Sequence, residues 1–170
     1  MNMNVRAERS LSDQETIFVR RRVFVGAVLS FLLPGCEAKP MRVYLNVSLF
    51  NYLERPIFDV SMNGADFMGA SAHGFYGANG VIAMQPVTLG PQVVNWRLDG
   101  PEGMAGNGEN VIAKNHPILD NVPPGMKWLG LHIYPDETVE IRLSKGNPDD
   151  LQTEKGLALI EAWEKQQHER

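Results

Sequence analysis

One cysteine, Cys36, is present in 170 residues. No disulfide framework can therefore form within the chain, and no pair of thiolates can hold zinc. Histidine is scarce as well: His73, His116, His132 and His168 are scattered, and none forms the H-x-H or H-E-x-x-H pair that brings two imidazoles to one metal. Basic residues are outnumbered, 16 Lys plus Arg against 20 Asp plus Glu, for a net charge of -4. That balance leaves no basic face for a phosphate backbone and excludes nucleic acid as the expected partner. The longest apolar run, Val23 to Leu33, has eleven residues. A helix needs roughly 20 to cross about 30 Å of hydrocarbon.

Catalytic signatures are missing too. The string Gly69-Ala70-Ser71-Ala72-His73-Gly74 is not the G-x-S-x-G elbow of a serine hydrolase and follows no long apolar strand. Gly106-Asn107-Gly108 lacks the third glycine and the following helix of a dinucleotide fingerprint. Asp149 and Asp150 read as helix-start acids, and Asp99 as a turn aspartate beside Gly100. His132 falls within a strand and reads as a structural histidine. The expectation is a protein that is not an enzyme and takes no cofactor or metal.

What is present begins with an address. Arg20-Arg21-Arg22 precedes the apolar run, which meets Pro34-Gly35-Cys36. A basic segment, a short apolar segment and a small residue describe a secretory signal. Leu33-Pro34-Gly35-Cys36 resembles a bacterial lipobox, and the only cysteine stands where that pattern needs it. The resemblance implies a diacylglycerol on Cys36, which becomes the mature N-terminus. Glu37 rather than Asp after it implies sorting to the periplasmic side of the outer membrane. Arg21-Arg22-Val23-Phe24-Val25 partly resembles a twin-arginine export motif, but the general export pathway is the simpler reading. The polar stretch before Arg20 is long for such a signal, and translation starting near Val19 would account for it. Residues 1–35 are read as signal and residues 36–170 as the mature domain. Removing five Arg and three acids with the signal takes the net charge from -4 to -6.

The mature chain alternates with period two. Val43, Leu45, Val47 and Leu49 alternate with Tyr44, Asn46, Ser48 and Phe50. Phe58, Val60 and Met62 alternate with polar residues up to the turn dipeptide Asn63-Gly64. Val81 to Met84 is a short apolar run, and Val94, Trp96 and Leu98 alternate again. Leu131 and Ile133, a Pro135–Thr138 loop, and Val139, Ile141 and Leu143 predict a hairpin. Asn147-Pro148-Asp149-Asp150 predicts a helix start, and Leu157, Leu159, Ile160 and Trp163 an apolar helix face, for a helix over about 148–165. The expected fold is a small antiparallel β-sandwich with a C-terminal helix.

Two glycine-bearing loops interrupt the strands, over 64–80 and 100–108. Loops on a rigid sheet often carry function, and exposed aromatics on them make binding anchors. Phe67, Phe75, Tyr76, Asp99 and Glu102 are therefore the candidate partner-binding residues.

Five strings together resemble a family of small Gram-negative lipoproteins akin to the immunity partners of type VI secretion lipase effectors. They are residues 51–57 (NYLERPI), 58–64 (FDVSMNG), 77–81 (GANGV), 93–96 (VVNW) and 129–136 (LGLHIYPD). The resemblance spans roughly residues 46–150. Where the family would carry a Cys-Cys pair after the glycine run, this chain reads Val81-Ile82-Ala83-Met84. The implied function is protection: a periplasmic lipoprotein, held by lipid on Cys36, that binds and neutralises a cognate lipase effector. The alternative is an envelope-maintenance lipoprotein with no toxin partner. A ligand carrier would need an apolar cavity, which sequence alone does not reveal.

Overall fold

The computed structural model describes residues 41–73, 81–146 and 148–170. The signal segment, Cys36, the candidates Phe75 and Tyr76, and Asn147 lie outside the described residues.

The first strand, β1 (Arg42–Asn51), shows why the alternation is informative. Leu45, Val47 and Leu49 are at most 1% exposed and face a core shared with a second sheet. β1 pairs antiparallel with β4 (Val81–Thr88) on one side and parallel with β9 (Trp128–Ile133) on the other, and β9 pairs antiparallel with β10 (Val139–Ser144). The second sheet has the order β3-β2-β6-β7, with β2 at Ile57–Met62, β3 at Ala65–Phe67, β6 at Val94–Leu98 and β7 at Asn110–Ile112. Its pairs are all antiparallel. A small ladder joins β5 (Gly90–Pro91) to β8 (Ile118–Leu119). The protein is thus mainly β, two four-stranded sheets closing on one apolar core, with a helix at the C-terminal end. All the described residues belong to one compact unit, Lys39–Arg170.

One strand pair departs from the antiparallel expectation. β1 and β9 run parallel, from Asn46 opposite Trp128 to Asn51 opposite Ile133. A parallel pair needs a long crossover, and the whole second sheet supplies it.

Local chemistry sets the remaining register. Asn63 and Gly64 take φ of 49° and 77°, the paired positive angles of a tight hairpin turn between β2 and β3. In β2 the simple alternation fails. Asp59 has φ of 48° and the register skips between Phe58 and Ser61. This bulge puts Ile57, Val60 and Met62 in the core and leaves Phe58 half-buried, so Phe58 is not the inward residue that period two predicts.

A second apolar layer lies on the outer face of β1 and β9. Phe50, Tyr52, Tyr134 and Leu151 are buried there, with Trp128, Leu159 and Ile160 packed against them. That covering explains why β9 is buried on both faces. The helix α1 runs over Glu154–His168, and the Thr153 hydroxyl caps it by accepting from the Gly156 amide at 3.0 Å. Pro148–Leu151 is a separate 3₁₀ turn. The helix therefore starts later than 148, because Thr153 rather than the Pro148 segment holds its first turn. Its docking stripe is Gly156, Leu159, Ile160 and Trp163, whereas Leu157 is 51% exposed. A Cβ at Gly156 would sit 2.2 Å from the Tyr52 hydroxyl oxygen, so only glycine lets the helix approach this closely. Lys155 Nζ closes the arrangement, donating to Asp136 Oδ2 at 2.8 Å in the β9–β10 turn.

Candidate functional site

The outer face of the second sheet carries an open groove of about 520 Å³. Alternation puts Ser61, Asn95 and Asp66 on this face, because Val60, Met62, Val94, Trp96 and Phe67 take the core positions. Ser61 stands opposite both Asp66 and Asn95, Ser61 hydroxyl donates to Asn95 Oδ1, and Asn95 Nδ2 reaches Asn110 Oδ1 at 3.5 Å. A polar ladder thus crosses all four strands. Met68, 76% exposed, forms one rim.

The other rim is held by Arg97. Its guanidinium lies 4.6 Å from the Phe58 ring centroid, pairs with Asp59 Oδ2 at 3.2 Å, and donates through Nε to the Gly108 carbonyl at 3.2 Å. The β2 bulge makes this possible, because it turns Phe58 and Asp59 toward Arg97 on the neighbouring strand. The contact to Gly108 joins the groove to the adjacent loop over residues 99–109.

That loop is stapled rather than slack. Arg55 donates from Nε to the Asp99 carbonyl at 2.8 Å, from Nη1 to the Ala105 carbonyl at 2.9 Å, and from Nη2 to Asn107 Oδ1. Asn107 Nδ2 in turn donates to the carbonyls of Gly100 and Pro101 at 3.1 and 2.8 Å. A Cβ at Gly100 would lie 2.4 Å from Met104 Sδ, so the loop is folded tightly upon itself. Planar guanidinium and amide groups satisfy several carbonyls at once, which rigidifies a segment with no strand or helix of its own.

The sequence-predicted site residues separate clearly. Asp99 and Glu102 stand together on this loop, both exposed. The Asp99 carboxylate also accepts from the Gly100 amide at 2.8 Å, which starts the turn. Phe67 is a correction: it is 0% exposed, opposite Val60 in the core, and has no surface to offer a partner. Its neighbourhood of glycines suggested a loop, but the Asn63-Gly64 turn makes it the inward residue of β3. The His73 ring lies 4.7 Å from Trp163, so the described segment ends against α1 two residues before Phe75 in sequence. Arg55, Asn107, Arg97, Asp59 and Asp66 were missed. Their only sequence signal was polarity beside glycine-rich or alternating stretches.

His132 belongs to the structure of the second layer. It stacks on Phe50 at 4.3 Å between ring centroids, and its Nδ1 meets the Tyr52 hydroxyl at 3.0 Å. Burial pushes its pKa down to about 4, with Arg142 adding to the effect against a contact to the Leu151 backbone. Burial likewise pushes Tyr52 up to about 12 and raises Tyr134 above its ordinary value. Among the described residues no group of three His, Cys, Asp or Glu could hold a metal ion, and no helix is long and apolar enough to cross a membrane.

Comparison with protein-family models, curated proteins and solved structures found no match to this chain. Fold and site therefore define it in physical terms: a β-sandwich presenting an open polar groove beside a stapled acidic loop.

Proposed function

We propose that this protein is a lipid-anchored immunity lipoprotein of the periplasm, which binds a type VI secretion lipase effector and blocks it. The observation that carries the proposal is the Arg55-stapled loop beside the polar groove. A loop already held in one shape loses little entropy on binding, so it suits a partner that must be captured tightly. Asp99, Glu102 and Glu109 give it negative charge, and the mature net charge of -6 favours a partner with a basic surface through steering. Groove and loop together can contribute to a standard interface of about 1,600 Å². The lipobox supplies the location, the compartment in which such an effector would attack phospholipid.

The test is to search the genes flanking this one for a lipase and to measure its binding by calorimetry. The expected outcome is a complex that Glu102→Lys weakens at least about tenfold, or about 1.4 kcal/mol, with an unchanged Tm. A neighbouring lipase that shows no binding to the wild-type protein would overturn the proposal.

A further inference from the structure

The outer face of the first sheet is only half covered. The helix and its aromatic layer sit over the C-terminal half of β1 and over β9. Among the described residues no helix or aromatic layer covers the other half, on β1 and β4. Tyr44, Met84 and Val81 are 64, 63 and 52% exposed there. Tyr44 stands opposite Pro86, Val81 opposite the outward position of Ser48, and the Met84 amide donates to Asn46 Oδ1 at 3.1 Å. These residues form one stripe along two neighbouring strands.

The charge of the stripe is distinctive. Neither β1 nor β4 contains a single Asp or Glu, although the chain has 20. The charged residue of β1 is cationic, Arg42, which alternation puts on the same face as Tyr44. The position matters as much. Met41 is five residues from Cys36. Five peptide steps span at most about 18 Å when fully extended. The end of β1 cannot move far from a lipid carried on Cys36.

We propose that this stripe rests on the phospholipid surface that holds the anchor, with Tyr44, Met84 and Val81 at the headgroup boundary and Arg42 on the phosphates. The inference rests on lipidation of Cys36. Methionine and tyrosine suit that boundary, where one side is apolar and the other wet, and a cation beside them adds attraction to anionic lipid. The groove lies on the outer face of the opposite sheet. Seating the stripe on the membrane therefore presents the groove and the stapled loop to the periplasm, away from the bilayer.

Met84→Cys and Met68→Cys are matched probes, one in the stripe and one on the groove rim. Tyr44→Cys is a second stripe probe, on β1. The lipidated Cys36 sulfur is a thioether and does not react with maleimide. Each full-length variant is expressed in a Gram-negative host, and membranes are labelled with an impermeant maleimide, before and after detergent extraction. The expected result is labelling at positions 84 and 44 about tenfold slower than at 68 in membranes, and equal labelling in detergent. Equal labelling in membranes would overturn the inference while leaving the anchor standing. Protection that persists in detergent would overturn it in favour of a covering protein or second copy. Recovery of the protein in the soluble fraction would overturn the anchor, and this face with it.

Discussion

Replacing His132 by Phe should change how stability depends on pH. The His132 imidazole is buried among Phe50, Tyr52 and Tyr134, and its pKa falls from 6.5 to about 4. In the unfolded chain the ring takes a proton near pH 6.5, whereas the folded protein resists until about pH 4. Protons thus favour the unfolded state across that window. The neutral ring's full contribution is present above pH 6.5, falls as pH drops toward 4, and then levels off. At 1.36 kcal/mol per unit the total is about 3 kcal/mol, most of which is lost by pH 4.5. Urea unfolding of wild type and His132→Phe at pH 7 and 4.5 isolates the effect. The phenyl ring keeps the stack on Phe50. The lost hydrogen bond to Tyr52 weakens the variant at both pH values alike and cancels in the comparison. The variant should lose about 2–3 kcal/mol less than wild type between the two. An identical loss in both proteins would refute the reasoning, because it would mean that the ring is hydrated or paired when protonated.

Other substitutions probe other links. Gly156→Ala gains about 1 kcal/mol in helix propensity but drives a methyl into the Tyr52 ring, so chemical denaturation should show a net loss of about 1–2 kcal/mol. Arg55→Lys keeps the charge but not the fork. Amides over residues 100–109 should exchange about tenfold faster with solvent, and affinity for the proposed lipase partner should fall while Tm shifts by only a few degrees. Trp96→Ala opens a cavity at a fully buried position shared by the two sheets and should cost about 4 kcal/mol in urea unfolding. Asp59→Asn removes an exposed ion pair with Arg97 and should change stability by under about 1 kcal/mol.

The parts of the fold legible in the sequence were those governed by period two. β1, β6 and the β9–β10 hairpin follow alternation directly, and Asn63-Gly64 turns as its residue types require. Two features escaped for a shared reason. The bulge at Asp59 and the parallel pairing of β1 with β9 are decided by which neighbour a strand meets, which the local pattern does not encode. The helix start moved to Thr153 because capping depends on where the helix docks, and Gly156 against Tyr52 fixes that. The site was the least legible part. Asp99 and Glu102 stood out as loop acids, but Arg55 reaches their loop at Asp99, Ala105 and Asn107, 44 and more residues on, and no spacing rule links such positions. Phe67 misled because its glycine neighbours hid a three-residue strand.

The central claim is neutralisation of a lipase, and one measurement bears on it directly. A lipase gene found flanking this one, fused to an export signal, is expressed in a Gram-negative host with this gene or with its Cys36→Ala form, and growth and phospholipid hydrolysis are followed. The account predicts arrest and lysophospholipid accumulation with the lipase alone, full rescue with the wild-type protein, and weaker rescue with Cys36→Ala. A toxic lipase that arrests growth equally in the presence of stably produced, exported wild-type protein would contradict it.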